Sequence, residues 1–153
     1  MSQALNIPVV VLPHGEGLEL PEHKTDGSAG LDLRAALPVT EPLRLESLQR
    51  AAVPTGLCLA IPDGFEGQVR PRSGSAFRQG LTVVNAPGTI DSDYRGELKV
   101  LLINLGADAI ELSRGQRIAQ LVIAPVQRSV LNQVSTLDET GRGSRGFGST
   151  GQR

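Results

Sequence analysis

The chain has one cysteine, no tryptophan, two histidines and two lysines in 153 residues, and each scarcity excludes a class of function. A single thiol, Cys58, leaves no internal disulfide, and within Gly56-Leu57-Cys58-Leu59-Ala60 it reads as a small core residue. His14 and His23 both lie in N-terminal surroundings rich in Gly, Pro and charge. A zinc site therefore lacks ligands, and neither a Ser-His-Asp nor a Cys-His arrangement is supported. With Lys24 and Lys99 the only lysines and a formal net charge of −1, the chain carries no electrostatic footprint for nucleic acid. A polyanionic ligand would be small and held locally by arginine. No apolar run approaches the length needed to cross a bilayer, and no basic-plus-apolar signal opens the chain, so no membrane contact and a cytoplasmic location are expected. What is left for chemistry is carboxylate, with any metal bound through oxygen.

Short apolar or alternating runs broken by Gly and Pro recur at Leu5 to Leu12, Leu31 to Leu37, Val53 to Ile61, Gly67 to Arg72, Glu97 to Asn104, Ala109 to Leu112 and Arg117 to Val126. That spacing predicts an all-β fold, a jelly-roll-like barrel or sandwich. Helix is minor: one short helix over Ser73 to Gln79, stopped by Gly80, and a single turn over Ser47 to Arg50. The apolar pattern ends after Leu131, and from Thr140 the chain is rich in glycine, serine and arginine. The expected organisation is one β domain over 1–139 and a flexible C-terminal arm over 140–153.

Between Gly88 and Gly96 stand two carboxylates, a tyrosine and an arginine. In an extended or hairpin backbone Ile90 turns inward and Asp91 outward, where a carboxylate orients and deprotonates a water. Taken alone, the same segment reads first as a surface turn whose acids only solvate it. In Gln68-Val69-Arg70-Pro71-Arg72-Ser73-Gly74, alternation puts Gln68, Arg70 and Arg72 on one face, next to a helix start that offers N–H groups to an anion. A capped helix with a salt-bridged arginine reads as well. Gln120 shares a strand face with Ile118, Val122 and Ala124, and a buried amide there needs a ligand or a backbone partner. Asp32 alternates away from Leu31 and Leu33, either as a salt-bridge acid or as an acceptor for metal-bound water. In the arm, Phe147 is one of only four aromatics and has no apolar neighbours, which suits stacking on a planar base. Its glycines, hydroxyls and arginines suit an anion.

These segments, Ala29 to Ala35, Pro71 to Ala76, Asn85 to Gly96, Gly115 to Gln120 and Arg142 to Gly151, resemble the five ordered motifs of the trimeric dUTPase family over nearly the whole chain. The resemblance implies a homotrimer with shared active sites that hydrolyses dUTP to dUMP and pyrophosphate with Mg²⁺. It implies that Asp91 activates the water, that Tyr94 packs against the deoxyribose, and that Asn85 with Gly88, Thr89 and Ile90 reads uracil. Arg72, Ser73, Gly74 and Gln120 then match phosphate contacts, and Asp32 matches an acid that meets Mg²⁺ through water. Phe147 matches a ring that stacks on uracil, while Arg142, Gly148, Ser149 and Thr150 match arm residues around the nucleotide. Asp93 and Arg95 are left to pair structurally. Ser75 stands where the family commonly has leucine, and Arg145 where it commonly has glycine. Two other readings stay open: a deaminase of the related dCTP-deaminase group, and a catalytically silent dUTP-binding regulator.

Overall fold

The computed structural model describes residues 4–146. Ten strands and one helix follow one another: β1 (Val9–Val11), β2 (Leu31–Arg34), β3 (Leu43–Leu45), β4 (Arg50–Leu59), β5 (Phe65–Arg70), α1 (Ser73–Gln79), β6 (Leu81–Val83), β7 (Gly88–Ile90), β8 (Glu97–Asn104), β9 (Ile110–Leu112) and β10 (Arg117–Pro125). A 3-10 turn over Pro13–Gly15 follows β1. Two four-stranded sheets, ordered β1-β4-β8-β6 and β2-β10-β5-β7, are joined by the small β3-β9 ribbon, and every strand pair is antiparallel. The architecture is the all-β, jelly-roll-like one that the punctuated sequence predicts.

Period-two alternation drives the core. Along β8, Leu98, Val100 and Leu102 are buried while Lys99 and Leu101 face out. They meet Leu33, Val53, Val69, Leu81, Leu112 and Leu121 in one cluster. Each buried aliphatic side chain contributes about 1.5 to 3 kcal/mol relative to exposure. One fully buried polar residue, Asn104, is satisfied: its Nδ2 donates to the carbonyls of Leu45 (3.0 Å) and Asp108 (2.8 Å), and its Oδ1 accepts from the Gly106 N–H (2.9 Å).

Helix α1 spans the predicted residues and ends at Gly80, whose φ of 71° is the left-handed conformation that glycine adopts freely. Strand β5 stops before Pro71, which has no N–H to give a ladder. Three expectations are corrected. Ser47 to Arg50 forms no helical turn, since Leu48 takes a φ of 64° in a tight bend. Cys58 is only half-buried, because it alternates with inward-facing Leu57 and lies opposite exposed Val10. On β10 a register irregularity between Arg117 and Ala119 buries Ile118, Ala119 and Leu121 together, so Gln120 does not stand in the core row. Strands β3, β6 and β7 are additions, each of three residues and too short to show a period.

Candidate active site

Strand β7 pairs with β5 through Gly67↔Ile90, Gln68↔Thr89 and Val69↔Gly88. This register turns Ile90 onto the core and leaves Asp91, the next residue, exposed at the strand end. Gly88 is buried: a Cβ there would meet Asn85 Nδ2 at 3.1 Å and Val69 Cβ at 3.4 Å, so the Asn85 amide lies against bare backbone. Tyr94 donates its hydroxyl to the Glu97 carbonyl at 3.1 Å, and its ring folds over Gly96, where an added Cβ would be 2.6 Å from Cζ. Asn85, Gly88, Thr89, Ile90, Asp91 and Tyr94 thereby line one cavity of about 390 Å³, closed by Val69 and by Glu97, Lys99 and Leu101 of β8. The volume suits a nucleoside-sized ligand.

Arg95 donates to the carbonyls of Ser92 (2.7 Å) and Tyr94 (2.9 Å), which fastens the loop after β7. It does not pair with Asp93, because the tight turn brings carbonyls nearer than the carboxylate; the expected Asp93–Arg95 pairing is replaced by backbone contacts. On its far side the loop borders a second concavity of about 730 Å³, where Asp91 and Asp93 face Asp63, Glu66 and Arg128.

A second constellation sits where β2, β10 and the start of α1 converge. The Asp32 carboxylate takes Arg72 Nε on Oδ1 at 3.0 Å and Arg117 on Oδ2 at 3.1 Å. Arg72 occupies the N-cap position of α1, followed by exposed Ser73 and by Gly74. Gln120 Nε2 donates to the Pro71 carbonyl at 2.9 Å, and its Oε1 fills the space beside Gly30 that a side chain there would need. The structure thus shows the salt-bridged alternative for Asp32 and the backbone-bonded one for Gln120. The Asp32 contact to Arg72 runs through Nε, which holds the guanidinium beside the helix start.

The two constellations are separate within one chain: the 390 Å³ cavity includes neither Arg72, Ser73 and Gly74 nor Gln120. Arg142 is exposed and curls back, its Nε donating to the Arg145 carbonyl (2.9 Å) while Arg145 Nε returns a bond to the Arg142 carbonyl (3.1 Å). Phe147, Gly148, Ser149 and Thr150 lie outside the described residues.

Sequence reasoning missed the β8 wall. Glu97, Lys99 and Leu101 share one face by alternation in Glu97–Asn104, a signal present in the sequence but attributed there only to a strand. Burial works against the charge on Glu97, but hydrogen bonds from His14 (2.5 Å) and the Gly56 N–H (2.9 Å), with Lys99 at 3.8 Å, hold its carboxyl below the usual carboxylate range.

A β-rich chain that pairs a nucleoside-sized hairpin cavity with an arginine-bearing helix start has the parts of a nucleotide-handling enzyme. The dUTPase family model matches residues 16–151, and the chain belongs to that family. It is 57% identical over 147 residues to the deoxyuridine 5'-triphosphate nucleotidohydrolase of Rhizobium meliloti strain 1021, covering 96% of this chain and 92% of the relative. With the enzyme of the same name from Methylocella silvestris it shares 58% over 151 residues, 99% of this chain and 94% of the relative. Among solved structures, the Staphylococcus bacteriophage 80alpha dUTPase with dUpNHpp superposes with a TM-score of 0.84 at 27% identity, over 97% of this chain and 99% of that one. A dUTPase variant from phage phi11 of S. aureus, described with a structural Mg(II) ion, shares the fold at a TM-score of 0.76 and 24% identity, over 88% of this chain and 100% of that one.

Among the described residues no three His, Cys, Asp or Glu side chains converge, and both oxygens of Asp32 face arginines. That donor set fits a magnesium ion that arrives on phosphate oxygens and keeps its waters; it does not fit a protein cage. No described helix is long and apolar enough to cross a membrane.

Proposed function

We propose that the chain hydrolyses dUTP to dUMP and pyrophosphate, with uracil and deoxyribose in the β7 hairpin cavity and Asp91 as the base for the attacking water. The observation that carries this is the cavity itself: bare backbone at Gly88, the Asn85 amide, the Tyr94 ring and the Asp91 carboxylate line one nucleoside-sized space. Asn85 and the β7 backbone offer donors and acceptors to a pyrimidine edge, and exclusion of a 5-methyl group is assigned to this hairpin. Tyr94 passes close over Gly96 on one wall of the cavity, and the deoxyribose is assigned to this ring, where a 2′-hydroxyl would be excluded by contact. Asp91, at the cavity rim, orients the water and takes its proton as oxygen attacks the α-phosphorus in line. The α–β bridging bond breaks, and pyrophosphate leaves.

Arg72, the Ser73 and Gly74 backbone and Gln120 hold phosphate oxygens; Asp32 aims Arg72 and would accept from water on a bound Mg²⁺. Magnesium on the triphosphate supplies charge neutralisation when bound. Because the cavity and this phosphate group stand apart in one chain, each site is completed by another copy, in a homotrimer. The arm over 140–153, beyond the domain at 1–139, covers the bound nucleotide with Phe147 on uracil and Arg142, Gly148, Ser149 and Thr150 around the base and the outer phosphates. The setting is the cytoplasm, where the reaction keeps uracil out of DNA and yields dUMP for thymidylate synthesis.

One assay tests the reading: supply Mg²⁺ with dUTP, UTP, dTTP or dCTP and measure pyrophosphate and ammonia. Pyrophosphate from dUTP alone is expected. Ammonia from dCTP would replace this reading with the deaminase, and binding of dUTP without either product would leave a silent binder.

A further inference from the structure

The sugar side of the cavity is tied to the N-terminal turn through one residue. Glu97 Oε1 accepts from the Gly56 N–H at 2.9 Å and contacts His14 Nε2 at 2.5 Å, across 83 residues of sequence, while its main-chain carbonyl receives the Tyr94 hydroxyl at 3.1 Å. The side chain of Glu97 is only 14% exposed, whereas Tyr94 is 46% exposed. The hydrogen bond to the Glu97 carbonyl and the close pass over Gly96 are the contacts that orient this half-exposed phenol.

The turn that carries His14 is itself anchored. Leu12 N–H bonds the Gly56 carbonyl at 2.8 Å, and Arg114 donates to the carbonyls of His14 (2.7 Å), Leu37 (3.0 Å) and Glu16 (2.8 Å). Gly15 and Gly56 meet backbone to backbone: a Cβ on Gly15 would stand 2.8 Å from the Gly56 oxygen. Gly56 lies at the irregularity of β4 between Pro54 and Cys58, with a φ of 71°, and this kink points its N–H at Glu97.

We propose that His14 and Glu97 are positioning residues, through which the anchored turn fixes the Glu97 backbone and with it the Tyr94 face of the cavity. The role in sugar selection rests on the reading that deoxyribose packs against Tyr94; the tether to Tyr94 does not. His14 touches no reacting atom. Its imidazole holds Oε1 of the carboxylate, while Oε2 faces Lys99 on the cavity wall at 3.8 Å.

Tyr94 is the only tyrosine and tryptophan is absent, so intrinsic emission of the full chain reports this ring alone. In His14→Leu, acrylamide quenching of that emission is expected to rise about twofold, KM for dUTP to rise about three- to tenfold with kcat nearly unchanged, and preference over UTP to fall. His14→Gln, which keeps a donor, is expected to restore most of each effect. Should His14→Leu fail to fold, Glu97→Gln, which retains the shape and the Gly56 contact, is read in the same way. Unchanged quenching and KM in these variants, with only a lower melting temperature, would overturn the tether. A changed emission in a protein whose wild type makes no pyrophosphate from dUTP would uphold the tether and remove the deoxyribose reading; unchanged emission in an active enzyme would remove the tether alone.

Discussion

At the scale of single residues, two carboxylates near the same cavity have opposite environments. Asp91 is exposed at the end of β7 and lines the cavity, whereas Glu97 is engaged by His14, the Gly56 N–H and Lys99. Asp91→Asn keeps size and loses the base. Binding of a non-hydrolysable dUTP analogue should stay near wild type while kcat falls by about 10² to 10⁴, as for other general bases. A wild-type kcat in that variant would remove Asp91 from the water. For Glu97 the consequence is one of stability. Its folded-state pKa lies below the unfolded value, so the unfolded chain binds more protons in the acid range. The contribution is complete above the unfolded carboxyl pKa and is lost as pH falls through the depressed folded one. Denaturant midpoints of wild type and Glu97→Gln should therefore differ at neutral pH, by about 1 to 3 kcal/mol for charged hydrogen bonds, and converge in acid. Parallel pH curves would show that Glu97 is not the source.

At the scale of elements, the arm is the piece whose removal separates fold from turnover. The stretch from Gln127 to Gly146 forms no strand or helix and lies outside the core cluster. A chain ending at Thr140 should keep the wild-type melting temperature and oligomeric state yet lose most dUTP turnover, since closure over the nucleotide excludes water and orients the phosphates. Full activity after truncation would end the lid role. The elements also differ in how far the sequence discloses them. The long strands β4, β8 and β10 and the helix are legible because alternation runs for several residues or because Gly80 marks a stop. The short strands β3, β6 and β7 are not, since they exist only through partners distant in sequence. The site divides along the same line. Asp91 and Tyr94 stand out by composition, but the Glu97–His14 contact spans 83 residues and leaves no local pattern. Nor does residue type disclose that Asp32 is shared between Arg72 and Arg117.

At the scale of the whole molecule, two features of one chain bear on the proposed assembly. The 390 Å³ cavity does not include Arg72 or the start of α1, which the proposed function assigns to the triphosphate. After β10 the chain also carries Val130 at 93%, Leu131 at 97% and Leu137 at 84% exposure, apolar side chains that one copy leaves in water. Both features are met if copies assemble so that one supplies the cavity and another the phosphate contacts. The arrangement makes complementation decisive. Asp91→Asn spoils the water in the copy that gives the cavity, and Arg72→Ala spoils the phosphate contact in the copy that gives the helix start. Each variant alone should be nearly inactive. Co-expressed in equal amounts, a random trimer should regain roughly one quarter of wild-type sites, because a site is intact only when its cavity comes from the Arg72→Ala chain and its helix start from the Asp91→Asn chain. Mixed trimers no more active than either parent would mean that both constellations act within one chain, and that the distance between them is closed by movement of the chain instead of by a second copy.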